Sequence, residues 1–402
     1  MYISNVIELG EKVKVKKSEI LIYLSYICLY ISLFLGDVYD SGDIGIWTQI
    51  LRWCSYFLII FSCIYVRHRK NDFIKMFGVF ILTLLYAVKT EDLYWSILVL
   101  LIYNLKKIDI EKIFKISVKI LAVGISMVLI ACILGILPDI LTTRNTVVDI
   151  AYNRHSFGFY HSNVLPLLIF YLEVYYICLA KENVKRIYIL CFMLLSIVVN
   201  SFCNSRNALI LSIILSCSLI LWNKRLDRNN CKGLYWITTL SIPAMSIFSV
   251  AMTFLLLKGG VWNSIDTIFS GRFRLAIFKI RRIGIHLINI MSNKDFVNDN
   301  VTYVNGVNLD TIVLDNGYLY VMLRYGILII MFYIVIAYLL AQKNKENGYA
   351  LITLISVLII NFVDNDLVDY SFLPFILWAF NEIENSINSK LKFKLAKGAN
   401  EI

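Results

Sequence analysis

Long apolar runs separated by short polar segments constrain this chain more than any other feature of its sequence. Hydrophobic residues make up 59% of the 402 positions and charged residues 17%, whereas soluble domains carry more charge. A helix needs about 20 apolar residues to cross a bilayer, and the runs here approach that length. We therefore predict an all-α, polytopic membrane bundle with about 12 (10–12) transmembrane helices, forming a single domain over residues 1–402.

The predicted spans have approximate boundaries. They lie at about 20–36, 46–66, 73–88, 93–105, 113–137, 164–180, 187–203, 208–222, 235–257, 318–341, 349–363 and 370–386. The runs at 73–88 and 93–105 are short for a bilayer, so a re-entrant pair stays an alternative to two full spans.

Basic residues are divided unevenly between the two sets of connecting segments. The N-terminus and the segments 67–72, 106–112, 181–186, 223–233, 342–348 and 387–402 carry 23 Lys and Arg. The short segments 37–45, 89–92, 138–163, 204–207 and 364–369 carry 4. Because positive charge is retained in the cytoplasm, we predict a multi-pass membrane protein with both termini in the cytoplasm.

The net charge is +11, and most of the Lys and Arg lie in short segments between apolar runs, where they set the topology. We therefore expect the lipid bilayer as a partner and no nucleic acid. The nine cysteines show no CxxC or Cys/His spacing, and we expect neither a metal nor a cofactor.

The longest connection, 258–317, is predicted to face outside and contains a basic amphipathic pattern. On a helix over 272–290, the basic residues Arg272, Arg274, Lys279, Arg281, Arg282 and His286 fall on one half of the wheel. Such a helix would lie on the membrane surface. Its basic side would bind lipid headgroups, or it would grip the diphosphate of a phosphorylated lipid substrate.

Three further outer segments carry candidate functional residues. Arg206 lies in a short turn between two spans, where it either snorkels to the interface or binds an anion. Segment 154–163 contains His161, which is either a polar anchor or a general base. Asp315 and Asn316 open the tenth span, where they are helix caps, functional groups or both. A cluster of cations with candidate bases suits chemistry on a lipid-linked diphosphate.

Four ordered motifs resemble those of one enzyme family. They are Gly158-Phe159-Tyr160-His161-Ser162-Asn163, Asn204-Ser205-Arg206, Ser270-Gly271-Arg272, and Asp315-Asn316-Gly317-Tyr318-Leu319 followed by Tyr325-Gly326-Ile327. Over residues 150–330 the chain is similar to Wzy-type polymerases of capsule or O-antigen repeat units, within the O-antigen ligase and polymerase family. Asp315 stands where the ligase branch often has histidine, which favours the polymerase branch.

The resemblance implies a glycosyltransferase of the bacterial cytoplasmic membrane that moves a growing glycan from undecaprenyl diphosphate to a new lipid-linked repeat unit. It also implies a flippase and a chain-length regulator as partner proteins. Under this reading Asp315 or His161 is the catalytic base. The diphosphate-binding candidates are Arg154, Arg206, Arg272 and Arg282, and the substrate-binding candidates are Asn163, Lys279, His286 and Asn316.

Two other functions stay open at this stage. A flippase of lipid-linked oligosaccharide would share the span number and basic character, although internal repeats are typical of transporters and none is found. A glycosyltransferase using a polyprenyl-phosphate sugar would use an acid in the first outer loop, which carries Asp37, Asp40 and Asp43. Asp364-Asn365-Asp366 also resembles a metal-binding D-x-D, unless these carboxylates are simply solvated loop charges.

Overall fold

The computed structural model describes residues 2–39, 44–65, 70–90, 92–105, 108–144, 152–226, 231–269, 271–291, 296, 314–364 and 366–381. Most of them are helical. The helices are α1 (Tyr2–Gly36), α2 (Ile44–Tyr65), α3 (Lys70–Thr90), α4 (Tyr94–Tyr103), α5 (Ile110–Ile133), α6 (Val164–Ala180), α7 (Arg186–Cys203), α8 (Arg206–Leu226), α9 (Lys232–Leu255), α10 (Val261–Ile268), α11 (Arg272–Ile283), α12 (Gly317–Tyr325), α13 (Ile327–Lys343), α14 (Gly348–Val363) and α15 (373–381).

Six helices in the described part are long and apolar enough to cross a membrane, which agrees with an all-α membrane protein. They are α2, α5, α7, residues Lys17–Gly36 of α1, residues Phe73–Thr90 of α3, and α9 together with its extension to Lys258. Five more apolar helices are shorter, namely α4, α6, Arg206–Leu221 of α8, α13 and α14. Helical structure occurs at each of the twelve predicted runs, but twelve full crossings remain a prediction.

The fourth run is a short buried helix. At ten residues, α4 is roughly 15 Å long, about half the thickness of a bilayer core. Most of its residues are buried, and it packs against α2 and α3. Its apolar sequence therefore serves packing inside the protein.

The tenth run is broken into α12 and α13 at Gly326. Gly326 has a φ of +98°, and a Cβ there would lie 2.6 Å from the Leu287 carbonyl oxygen. The segment after α11 fills the break, since Ile327 N donates to His286 O at 3.0 Å and Asn289 N donates to Tyr325 O at 3.0 Å. Backbone groups released by the break are thereby satisfied, as an apolar environment requires.

The basic helix of the long connection is shorter than the sequence predicted. It ends at Gly284, which has a φ of +74°, so the prediction of a helix to residue 290 is wrong in its C-terminal third. Its basic residues also do not share one face. Arg272 and Lys279 are buried, whereas Arg281 and Arg282 are exposed.

One feature outside helices was not predicted. Leu141–Arg144 and Tyr152–His155 pair as antiparallel strands β1 and β2, with Leu141 opposite His155 and Arg144 opposite Tyr152. The two strands lie between α5 and α6, and β2 contains the first two residues of segment 154–163.

Candidate active site at one end of the bundle

The turn that follows β2 is held by a carboxylate. Asp139 accepts from the backbone N–H groups of Ser156 and Phe157 at 2.9 and 2.8 Å, and its other oxygen lies 2.5 Å from His155 Nδ1. Burial raises the pKa of Asp139, but these hydrogen bonds and the charge of His155 outweigh it and lower the pKa. Phe157 and Gly158 then turn with φ of +52° and +87°. Asp139 thus fixes the path of the chain toward His161.

The end of α1 is joined to this turn by backbone hydrogen bonds. Tyr39 N donates to Gly158 O at 2.9 Å, and Tyr160 N donates to Asp37 O at 3.1 Å. Phe159 is fully buried opposite Val38. The first loop and segment 154–163 therefore form one unit although more than 100 residues separate them.

The segment after α14 completes the same region. The Tyr370 hydroxyl donates to Asp37 Oδ2 at 2.6 Å, and Gly317 N donates to Asp364 O at 2.9 Å. The second contact connects this segment to the start of α12, where Asp315 lies. Three loops and two helix ends consequently meet at one end of the bundle.

A cavity of about 230 Å³ lies where they meet, and we call it the acidic cavity. Its polar lining residues are Asp37, Tyr160, His161, Asn163, Asp315, Asp364, Asp369, Tyr370 and Ser371. Four carboxylates line this small cavity, and they provide hydrogen-bond and proton acceptors for a polyhydroxylated ligand.

Two of these carboxylates have strongly perturbed pKa values. Burial and the nearby Asp369 raise the pKa of Asp37 well above its usual range, with the Tyr370 hydroxyl opposing the shift. Burial raises the pKa of Asp369 to about 7, with the Tyr370 N–H and the Arg52 cation opposing it. Near neutral pH this pair therefore holds or exchanges a proton.

His161 faces the cavity as a neutral ring with a defined tautomer. Burial and the Arg154 cation lower its pKa below the usual value, and Asp315 opposes them. Its Nδ1 accepts from Asn163 N at 3.1 Å, so the proton of the neutral ring resides on Nε2. His161 is therefore a hydrogen-bond donor at Nε2 and is less suited to be the base than Asp315.

A buried cation adjoins the cavity at Asp315. Arg272, the first residue of α11, is 8% exposed and its Nε lies 3.5 Å from Asp315 Oδ2. With its amide oxygen turned toward Arg272, Asn207 accepts from Nη1 and Nη2 at 2.9 and 3.0 Å. Arg272 thereby connects the start of α8 to the cavity.

Arg154 forms a second connection. Its Nε donates to Cys203 O at 2.9 Å, and its Nη2 donates to Asn163 Oδ1. Arg154 is buried and joins the end of α7 to the rim of the cavity. Arg206 is exposed at the first position of α8, next to Asn207, and has no polar partner among the described residues.

The remaining candidates lie elsewhere or are engaged within the protein. Asn316 caps α12 by accepting from Leu319 N at 3.0 Å, and its amide N–H donates to Ser249 at 3.0 Å. Lys279 is buried, donates to Phe296 O and lies over the Phe296 ring.

Two more candidates are exposed, Arg282 in the last turn of α11 and His286 just beyond its end. Arg282 is ten residues from Arg272, roughly 15 Å along the helix. His286 is bonded to Ile283 O at 2.7 Å. None of Lys279, Arg282 and His286 lines the acidic cavity, whereas Arg272 reaches it through its contact with Asp315.

The sequence interpretation missed three residues of this site. Asp139 carried no signal beyond its place just after the predicted span 113–137. Asp369 and Tyr370 follow Asp364 and Asp366 in a segment with no basic residue, and this run of acids was the available signal. Asp40, Asp43, Ser270 and Asn365 lie outside the described residues.

Comparison with known proteins returned no match, whether to protein-family models, to curated proteins or to solved structures. In the part of the chain that the structure describes, no three His, Cys, Asp or Glu side chains are grouped to hold a metal ion. The chemistry is therefore argued from the site itself.

Proposed function

We propose that this chain is a membrane glycosyltransferase that polymerises undecaprenyl-diphosphate-linked oligosaccharide repeat units. The product is a capsular or O-antigen polysaccharide, made on the outer face of the cytoplasmic membrane. The single observation that carries the proposal is the contact between Arg272 and Asp315. It sets a buried guanidinium beside a carboxylate that lines the acidic cavity.

The guanidinium side of this contact suits the donor. Arginine offers a planar set of donors that matches phosphate oxygens and keeps its charge when buried. Arg272, with Arg206 nearby on α8, would bind the diphosphate and stabilise the negative charge that develops as it leaves. Arg154 would support the cavity lining through its hydrogen bond to Asn163.

The carboxylate side suits the acceptor sugar. An acceptor hydroxyl in the acidic cavity would attack the anomeric carbon of the donor glycan, forming the new glycosidic bond. The bond from that carbon to the diphosphate oxygen breaks, and undecaprenyl diphosphate leaves with the electron pair. The hydroxyl proton passes to Asp315 as general base. His161 Nε2–H and the Asp37–Asp369 pair would hold neighbouring sugar hydroxyls.

The test is deletion of the gene followed by sizing of lipid-linked and surface glycans. Single repeat units that accumulate outside the membrane, without long polymer, are expected. Repeat units retained on the cytoplasmic face would indicate a flippase instead. Unchanged polymer length would refute both functions.

One observation favours a second candidate, a glycosyltransferase that uses a polyprenyl-monophosphate sugar. Asp37 of the first loop and Asp364 both line the acidic cavity, as such an enzyme would use them. Purified protein given either a polyprenyl-monophosphate sugar or a diphosphate-linked repeat unit distinguishes the two. Transfer from the diphosphate-linked donor alone supports the polymerase.

A further inference from the structure

A groove on the membrane-facing surface begins beside the candidate active site. Helices α8 and α9 each pack along α14, and a groove of about 380 Å³ lies between them. Its lining comes from residues 207–218 of α8, 234–237 of α9 and 352–363 of α14. Among the lining residues only Asn207, Ser218 and Ser356 are polar, so the groove suits a hydrocarbon.

The groove has a closed floor and an open side. Leu211, Ile352 and Ser356 are buried and form the floor. Ile210, Ile214 and Ile237 are each more than half exposed and form the walls. Residues 207–218 of α8 span roughly 16 Å along the helix axis, about half of a bilayer core. A hydrocarbon tail lying in the groove would therefore be within the membrane and in contact with α8, α9 and α14.

Two residues connect the groove to the candidate active site. Asn207 lines the groove at the start of α8 and accepts from Arg272. Val363 lines it at the end of α14 and is followed by Asp364, which lines the acidic cavity. The groove thus runs from the cation that would bind a diphosphate toward the opposite end of α8.

We propose that this groove binds the polyisoprenoid tail of the diphosphate lipid whose head group Arg272 holds. The inference rests on the proposed function for the identity of the lipid. The head would lie at Arg272 and Asn207, and the first isoprene units would lie between α8 and α9 on α14. Binding the tail there would align the scissile bond with Asp315.

A photoreactive polyprenyl diphosphate, added to full-length protein in nanodiscs, tests the groove directly. Adducts should concentrate on α8, α9 and α14 and should be displaced by unlabelled undecaprenyl diphosphate. A second apolar groove, between α1 and α5 and lined by Phe34, Gly124 and Met127, provides the comparison. Adducts concentrated there, or spread evenly over the membrane surface, would refute the proposal.

Matched substitutions provide the second measurement. Ile237→Trp fills the groove, whereas Ile247→Trp places the same residue at another exposed position of α9 that does not line it. We expect Ile237→Trp to reduce labelling about tenfold, the effect of losing one buried apolar contact, and Ile247→Trp to leave it unchanged. Equal labelling of both variants would refute the groove.

These outcomes are separable from those that bear on the proposed function. Wild-type protein that makes no polymer but is labelled in the groove would contradict the polymerase and retain the lipid site. Polymer synthesis that survives Ile237→Trp unchanged, with labelling elsewhere, would retain the polymerase and reject the groove.

Discussion

Arg272→Ala is the substitution that most directly tests the proposed reaction. Arg272 is 8% exposed, lies 3.5 Å from Asp315 and donates to Asn207 at 2.9 and 3.0 Å. Removing a preorganised donor to developing negative charge costs roughly 3–4 kcal/mol, or about 100- to 1000-fold in rate. Polymer formation should fall by that amount.

Arg272→Lys separates charge from geometry. Lysine keeps the charge but cannot reproduce the two-pronged contact, so an intermediate rate is expected. Arg281→Ala is the matched control, because Arg281 is an exposed arginine of the same helix without a polar partner in the described chain. Its rate should equal that of the wild type.

The assay is polymerisation of lipid-linked repeat units by purified protein, with polymer sized by gel and protein quantified in the membrane. A second measurement, the affinity for undecaprenyl diphosphate, should weaken in parallel for Arg272→Ala. A normally expressed Arg272→Ala protein with wild-type rate and affinity would refute the diphosphate role of Arg272.

Three other predictions concern the break in the tenth run and the acidic cavity. Gly326→Ala should destabilise the protein by about 1–3 kcal/mol or more, because the φ of Gly326 is +98° and a backbone oxygen lies 2.6 Å from the new Cβ. Thermal unfolding in detergent measures this loss of stability, with Gly78→Ala as the control. Tyr370→Phe removes the hydroxyl bonded to Asp37 and should lower the polymerisation rate about tenfold without altering lipid affinity. The pKa of His161 is lowered, so its ring is neutral at pH 7. The polymerisation rate should fall at acidic pH as Nδ1, which accepts from Asn163 N, becomes protonated. The His161→Gln variant should lack this fall.

Each of these predictions has a contrary result. Equal stability of the two glycine variants would show that the break at Gly326 tolerates a side chain. A parallel loss of lipid affinity in Tyr370→Phe would assign the Asp37 region to the donor. An unchanged acid limb in His161→Gln would assign that titration to the carboxylates of the cavity.

Helical structure at the predicted runs could be read from the sequence, since a membrane environment leaves few alternatives for the backbone. Long apolar runs satisfy their own hydrogen bonds only as helices, and six described helices have the length and composition to cross a bilayer. The sixth run, 164–180, even matches the bounds of α6. Hydropathy showed that the run at 93–105 is short, but it did not reveal that α4 is buried inside the protein, because burial in protein and burial in lipid select the same residues.

The bases and cations of the candidate site were also partly predictable. His161, Asn163, Arg272 and Asp315 were selected as motif residues, and the structure brings them to one end of the bundle. The roles assigned to Lys279 and Asn316 were harder to judge, because their partners Phe296 and Ser249 are distant in sequence. Sequence spacing alone cannot show which polar groups are already satisfied.

The sequence by itself determined that the chain would be a helical membrane protein with polar residues collected in a few connecting segments. Only the tertiary structure decided which of those segments meet. Asp37 and Tyr370 are in contact across 333 positions, and Arg272 connects α8 to Asp315. Such contacts depend on how the helices pack around one another, and side-chain periodicity within one helix carries no record of its neighbours.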